Sequence, residues 1–208
     1  MKKIALVTAT LFVLLVISCG DSSNKPSNSK ATPEVKKGVA PVADSEIAVI
    51  EMETPAYGTI KIELYSNIAP QMVARFKELS KEGYYEGIAF HRINETVIQA
   101  GNSDTKTSRT ANPMKEGDSG KPNIPAEFSD VPYDTGVLGA ARLSNNVNSQ
   151  NSQFFIMLKR EDAFDNNYTV FGKVIEGMNN VRTIAGVPRQ GERPSEPVRI
   201  RKVMIVPR

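Results

Sequence analysis

The sequence predicts a mainly β domain carrying two α-helices. Apolar and polar residues alternate at 47–53, 58–64 and 198–206, the period of a strand with one buried face. Short apolar runs at 88–93, 97–100, 137–141, 154–158 and 170–175 add strands of similar length. Beyond residue 45, helical spacing occurs once early and once late. That pattern suits a closed antiparallel barrel with helices over its open ends, and the alternation alone leaves barrel and sandwich unresolved.

The chain has 208 residues, enough for one medium domain with an appendage. Residues 1–18 begin with Lys2 and Lys3, continue as an apolar run from Ile4 to Ile17 broken only by Thr8 and Thr10, and lead into Ser18-Cys19-Gly20. This is the pattern of a secretory signal, and the run is shorter than the ~20 residues a helix needs to span a bilayer. Cys19 is the only cysteine, so no intramolecular disulfide can form. Val16-Ile17-Ser18-Cys19 resembles a bacterial lipobox, where cleavage leaves an acylated cysteine at the new N-terminus. An ordinary signal with an incidental cysteine, or an uncleaved anchor, fits the same residues. The lipobox reading makes Cys19 the lipid attachment site and places the protein outside the cytoplasm, anchored to a bacterial membrane by chains worth ~0.8 kcal/mol per buried methylene. Gly20 in place of aspartate resembles lipoproteins sent to an outer membrane.

Residues 19–44 are rich in Ser, Asn, Lys, Pro and Ala, with no large apolar side chain before Val35, and are expected to form a lipidated, flexible tether. Such a chain would hold the domain ~25–30 Å from its anchor. The folded domain is expected at 45–208. Within it, Pro55-Ala56-Tyr57-Gly58 turns the first two strands into a hairpin. Ala69-Pro70 opens a helix whose buried stripe is Val73, Phe76, Lys77, Leu79 and Ser80, and Gly83 ends it. Asn94-Glu95 is a turn between two strands, and 102–121, dominated by Ser, Thr, Asn, Gly and Lys, is a long surface loop. Residues 177–185 form the second helix, and 198–206 close the domain. The net charge of +3 becomes +1 once Lys2 and Lys3 are subtracted, which excludes a basic footprint for nucleic acid.

Four short stretches carry more than a fold class. Phe90-His91-Arg92, Gln99-Ala100-Gly101, Ser152-Gln153-Phe154-Phe155 and Tyr168-Thr169-Val170-Phe171-Gly172-Lys173-Val174 resemble, in that order, the signature of the cyclophilin family of peptidyl-prolyl cis-trans isomerases. Pro125-Ala126-Glu127-Phe128 and Gly136-Val137-Leu138 add to it, and the resemblance runs from about residue 48 to 206. It implies a closed eight-stranded antiparallel barrel capped by two helices, a monomer, and chemistry without metal or cofactor. The implied partners are proline-containing unfolded or exported polypeptides, with the membrane reached through the lipid.

Rotation about an X-Pro bond faces an amide barrier of ~18–20 kcal/mol and breaks no bond. A guanidinium donating to the prolyl nitrogen favours the twisted state over the planar amide, and a 10⁵-fold acceleration needs about 7 kcal/mol of that preference. The resemblance makes Arg92 this donor, and its guanidinium stays charged at any physiological pH. On the residues alone, Arg92 would read as a surface or ion-paired arginine. By the same resemblance Gln99 positions the arginine and the substrate backbone, and Phe155 is the floor of the proline pocket. Phe154 should point the opposite way, into the core. His91 is expected to be packed and hydrogen-bonded, since the reaction transfers no proton. Tyr168 offers a hydroxyl at the pocket rim or only packs. Ala141 and Arg142 match residues whose backbone pairs with the substrate strand.

Several positions depart from the family pattern. The segment from Arg92 to Gln99 is one residue short; Val97 best matches the pocket methionine, and the pocket phenylalanine falls on Thr96 or is missing. Ala163 stands where many eukaryotic members have tryptophan, so cyclosporin should bind weakly, and Phe164 stands where they have leucine. Residues 145–151 form a longer, Asn-rich loop. The expected function is isomerisation of X-Pro bonds in exported proteins; the alternative is a catalytically weak chaperone or surface binding protein on the same fold.

Overall fold

β1 (Glu46–Met52) and β2 (Thr59–Leu64) pair antiparallel as the expected hairpin, Ile47 opposite Glu63 and Glu51 opposite Thr59. The computed structural model describes residues 33–108 and 119–208. The expected signal at 1–18, Cys19 and the tether as far as residue 32 lie outside the described residues, as does 109–118 of the long loop.

Helix α1 (Pro70–Lys81) starts at its proline and buries Met72, Val73, Phe76, Leu79 and Ser80. Ala69 at its N-cap has no side-chain acceptor, and Glu127 supplies one from 55 positions away. That buried carboxylate accepts the Gln71 and Met72 N–H groups at 3.2 and 3.0 Å, matching negative charge to the positive end of the helix. Lys77, expected in the buried stripe, instead meets Asp44 at 2.7 Å and Glu46 at 3.1 Å. An ammonium leaves an apolar face when carboxylates and water are within its reach.

The chain continues as β3 (Ala89–Phe90), β4 (Arg92–Ile93), β5 (Val97–Ala100), β6 (Val137–Ala140), β7 (Phe154–Met157) and β8 (Val170–Glu176). Helix α2 (Met178–Ala185), β9 (Arg189–Gln190), β10 (Arg193–Pro194) and β11 (Val198–Pro207) follow. The main sheet runs β3-β11-β1-β2-β8-β6-β7-β5-β4. Its two end strands, β3 and β4, are neighbours in the chain with only His91 between them, so the sheet curls into a nearly closed antiparallel barrel. Eight strands were expected, and among the described residues this sheet has nine. The run at 88–93 divides at His91: Ala89 and Phe90 pair with β11, whereas Arg92 and Ile93 pair with β5. β9 and β10 form a separate two-residue hairpin, too short for alternation to announce.

Alternation sorts the side chains into two clusters. Ile98 and Ala100 of β5, Leu138 and Ala140 of β6, and Phe154 and Ile156 of β7 join Phe76 of α1 and Val181 and Ile184 of α2 in the core. Phe154 meets Phe76, Tyr85 and Phe90 there, edge-on to each. The intervening Val97, Val137, Phe155 and Met157 point outward into a second apolar cluster with Tyr65, Ile68, Tyr133 and Val170.

The domain also begins earlier than expected. Residues 36–44, anticipated as tether, lie hydrogen-bonded along it: the Lys36 N–H donates to the Phe128 carbonyl at 2.9 Å, and the Asp130 N–H to the Lys36 carbonyl at 3.1 Å. Val42 N–H donates to Asn67 Oδ1 at 3.0 Å, and Ala43 packs on the outer cluster. Composition reads this stretch as a flexible tether, but its backbone groups find partners that a composition cannot reveal.

Candidate active site

Three antiparallel pairings place four residues in one row. Arg92 on β4 faces Gln99 on β5, Gln99 faces Phe155 on β7, and Phe155 faces Gly139 on β6. Directly opposed residues share a face of the sheet, and Ile93, Ile98, Ala100, Leu138, Ala140, Phe154 and Ile156, which flank the row on its strands, belong to the core, so the row looks outward. The segment from Arg92 to Gln99, one residue short, closes as a tight turn. Asn94 N–H donates to the Val97 carbonyl at 3.0 Å, and Asn94 Oδ1 accepts both the Thr96 and the Val97 N–H at 2.9 Å.

The Arg92 guanidinium is held on two sides. Its Nη1 donates to Gln99 Oε1 at 3.4 Å, while Nε and Nη2 donate to the two carboxylate oxygens of Glu192 at 2.6 and 3.3 Å. Hydrogen bonding to Arg92 holds the Glu192 carboxyl below its ordinary range. The Gln99 amide is fixed at its other end, donating from Nε2 to Gln153 Oε1 at 2.9 Å.

Phe155 lies at the bottom of the outer cluster, 3 % exposed. Its ring stacks on Tyr133 at 5.8 Å, and Phe164 and Tyr168 meet it edge-on at 5.5 and 5.6 Å. Gly139 makes this position possible, because a Cβ there would collide with the Phe155 ring. Val97 and, partly buried, Ala141 belong to the same cluster. The Arg142 guanidinium lies over the Tyr168 ring, 4.5 Å from its centre, and donates to the Asn167 carbonyl at 3.1 and 3.2 Å and to the Leu143 carbonyl at 3.0 Å.

These positions coincide with a known family. A family model described as cyclophilin type peptidyl-prolyl cis-trans isomerase/CLD matches residues 49–205. The chain belongs to this cyclophilin family. A probable peptidyl-prolyl cis-trans isomerase of Brucella suis is 41 % identical over 133 residues, which is 61 % of this chain and 66 % of that protein, just under two thirds of its length. A peptidyl-prolyl cis-trans isomerase of Acinetobacter baylyi is 38 % identical over 76 % of this chain and 85 % of its own. A cyclophilin type isomerase of Cryptosporidium parvum, crystallised in the presence of the dipeptide Ala-Pro, superposes with a TM-score of 0.65 at 27 % identity, covering 76 % of this chain and 98 % of that one.

On this cyclophilin scaffold, Arg92, Gln99, Phe155, Val97, Ala141, Arg142, Phe164 and Tyr168 fall on or beside one outer face. His91 does not. Its ring is buried on the seam between β3 and β4, and it departs from expectation in its bonding. Among the described residues neither ring nitrogen makes a hydrogen bond of normal geometry, and the Ala89 backbone and Gln153 side chain are the polar groups beside it. Burial pushes its pKa down to about 4. The Asn-rich loop packs as a compact turn, with Ser149 Oγ accepting the Leu143 N–H at 2.8 Å and Asn151 donating to Lys121 and Asn123, both at 2.9 Å. Glu192, Tyr133 and Gly139 were not singled out from sequence, and Gln153 was named only within its motif. Gly139 could have been, since a glycine inside a strand marks a close approach. Glu192, 100 positions from Arg92, left no local signal.

Proposed function

We propose that this chain accelerates cis–trans rotation of X-Pro bonds in exported polypeptides, with Arg92 donating to the prolyl nitrogen as the bond twists. The observation that carries this reading is the row Arg92–Gln99–Phe155 on three successive strands. It sets a fixed cation, an amide able to bind backbone, and an apolar floor side by side, which is what selective binding of a twisted prolyl amide requires. Val97, Phe164 and Tyr168 would surround the proline ring, and the β6 end at Ala141 and Arg142 would receive the substrate backbone. The short turn that motivates a binding-only alternative closes without moving Arg92 away from Gln99.

The test is turnover of a proline peptide by exchange NMR with the full-length protein. Arg92→Ala should lose at least about 100-fold in kcat/KM, with circular dichroism unchanged; an equally active variant refutes the assignment. Lipid attachment at Cys19, and with it the extracytoplasmic, membrane-bound location, is part of the proposal. Labelled palmitate should enter the wild type and not Cys19→Ala.

A further inference from the structure

The tip of the β9–β10 hairpin touches both the candidate arginine and the backbone beside it. The Glu192 carbonyl accepts the Ile93 N–H at 2.7 Å, fixing the backbone beside Arg92, and the Glu192 carboxylate takes two of the five guanidinium N–H groups. The carboxylate is itself fixed, since Asn94 Nδ2 donates to Oε1 at 2.7 Å. A further contact, Arg189 Nη2 to Glu95 Oε1 at 2.5 Å, ties the base of the hairpin to the β4–β5 turn. With Gln99 accepting a third N–H, one hydrogen on Nη1 and one on Nη2 are left over.

We propose that Glu192 is a positioning residue for the isomerase reaction: it fixes the plane of the Arg92 guanidinium so that an N–H it leaves free is aimed at the prolyl nitrogen. This rests on the reading of Arg92 above. The Arg92 side chain is 32 % exposed, and an arginine that open to water samples many rotamers unless something holds it. A two-point carboxylate pairing admits essentially one geometry. The carboxylate also offsets part of the positive charge, which weakens each donor. Placement outweighs that loss, because a misplacement of about 1 Å can cost a factor of about 100 in rate.

The experiment compares full-length Glu192→Ala, Glu192→Gln and Arg92→Ala, measuring kcat and KM on one proline peptide and the ¹⁵N signal of the Arg92 Nε–H group. Glu192→Ala should lower kcat about 10- to 100-fold with KM within about twofold, and move the Nε–H signal into the range of solvated arginines. Glu192→Gln keeps one acceptor oxygen and should fall between. Unchanged or raised kcat in Glu192→Ala, or a Glu192→Gln that loses the Nε–H contact at full kcat, overturns the proposal while Arg92→Ala remains inactive. Full activity in Arg92→Ala instead removes the reading beneath it. If Glu192→Ala loses its native circular dichroism, Glu192→Gln alone decides by the same two measurements.

Discussion

His91 is the only histidine in the chain, so its titration can be followed without ambiguity. The unfolded chain takes up this proton near pH 6.5, and the folded protein takes it up only near 4. Between those values the unfolded state binds more protons, so stability is complete above about 6.5 and falls by about 3 kcal/mol as pH drops to 4. The ring resonances should titrate with a midpoint near 4, and a midpoint near 6.5 would mean that water reaches the ring. Gly139 poses the opposite question, of space rather than charge. Gly139→Val should displace the Phe155 ring, cost about 1–3 kcal/mol and raise KM for a proline peptide, read by urea unfolding and kinetics. Wild-type values in both would show that the ring does not need that gap. Arg92, Gln99 and Phe155 were legible because short motifs surround them. Glu192 and Tyr133 were not, because their relation to the site is made by folding and by no local pattern.

Among the elements, β5 and β7 show what the Gln-Ala-Gly and Ser-Gln stretches do for the barrel. Gly101 has φ +101°, and a Cβ there would run into the Ser152 carbonyl and Gln153 backbone. Ser152 Oγ donates to the Gly101 carbonyl at 3.0 Å, and the buried Tyr85 hydroxyl donates to the Ser152 carbonyl at 3.0 Å. Gly101→Ala therefore combines backbone strain with a collision that no side-chain rotation relieves. It should cost about 2–4 kcal/mol by denaturant unfolding, and a loss under about 1 kcal/mol would show that the strands can part there. Short apolar runs marked β5, β6, β7 and β8, and alternation was enough to find β1, β2 and β11, because each of these three has one face in the core. It could not find the break at His91, since only the two different partner strands divide that run. It also could not find β9 and β10, the hairpin that carries Glu192, where two residues per strand hold no period.

For the molecule as a whole, the consequence lies in where the domain begins. Asp44 bonds its N–H to the Leu64 carbonyl at 2.9 Å, and its carboxylate accepts from Ser66 N at 3.1 Å, Ser66 Oγ at 2.7 Å and Lys77 Nζ at 2.7 Å. Lys36 Nζ donates to the Ile68 carbonyl at 2.7 Å. A chain starting at residue 33 keeps all of these, and one starting at 45 leaves Lys77, its side chain 19 % exposed, with Glu46 as its carboxylate partner. Hydrogen bonds to charged groups contribute about 1.5–3 kcal/mol each, and ordering the strap offsets part of that. The shorter chain should be less stable by about 2 kcal/mol, a fall of roughly 4–8 °C in Tm for a domain of this size. Burial works to raise the Asp44 pKa, but the bonds from Lys77 and Ser66 outweigh it and hold the carboxyl below its ordinary 3.8. Its contribution is thus present above pH 3.8 and lost as pH falls through the lowered value, so the gap between the two chains should narrow in acid. Equal Tm values at neutral pH would return residues 36–44 to the tether; a gap that persists unchanged in acid would move the stabilisation from the Asp44 carboxylate to the backbone bonds of the strap.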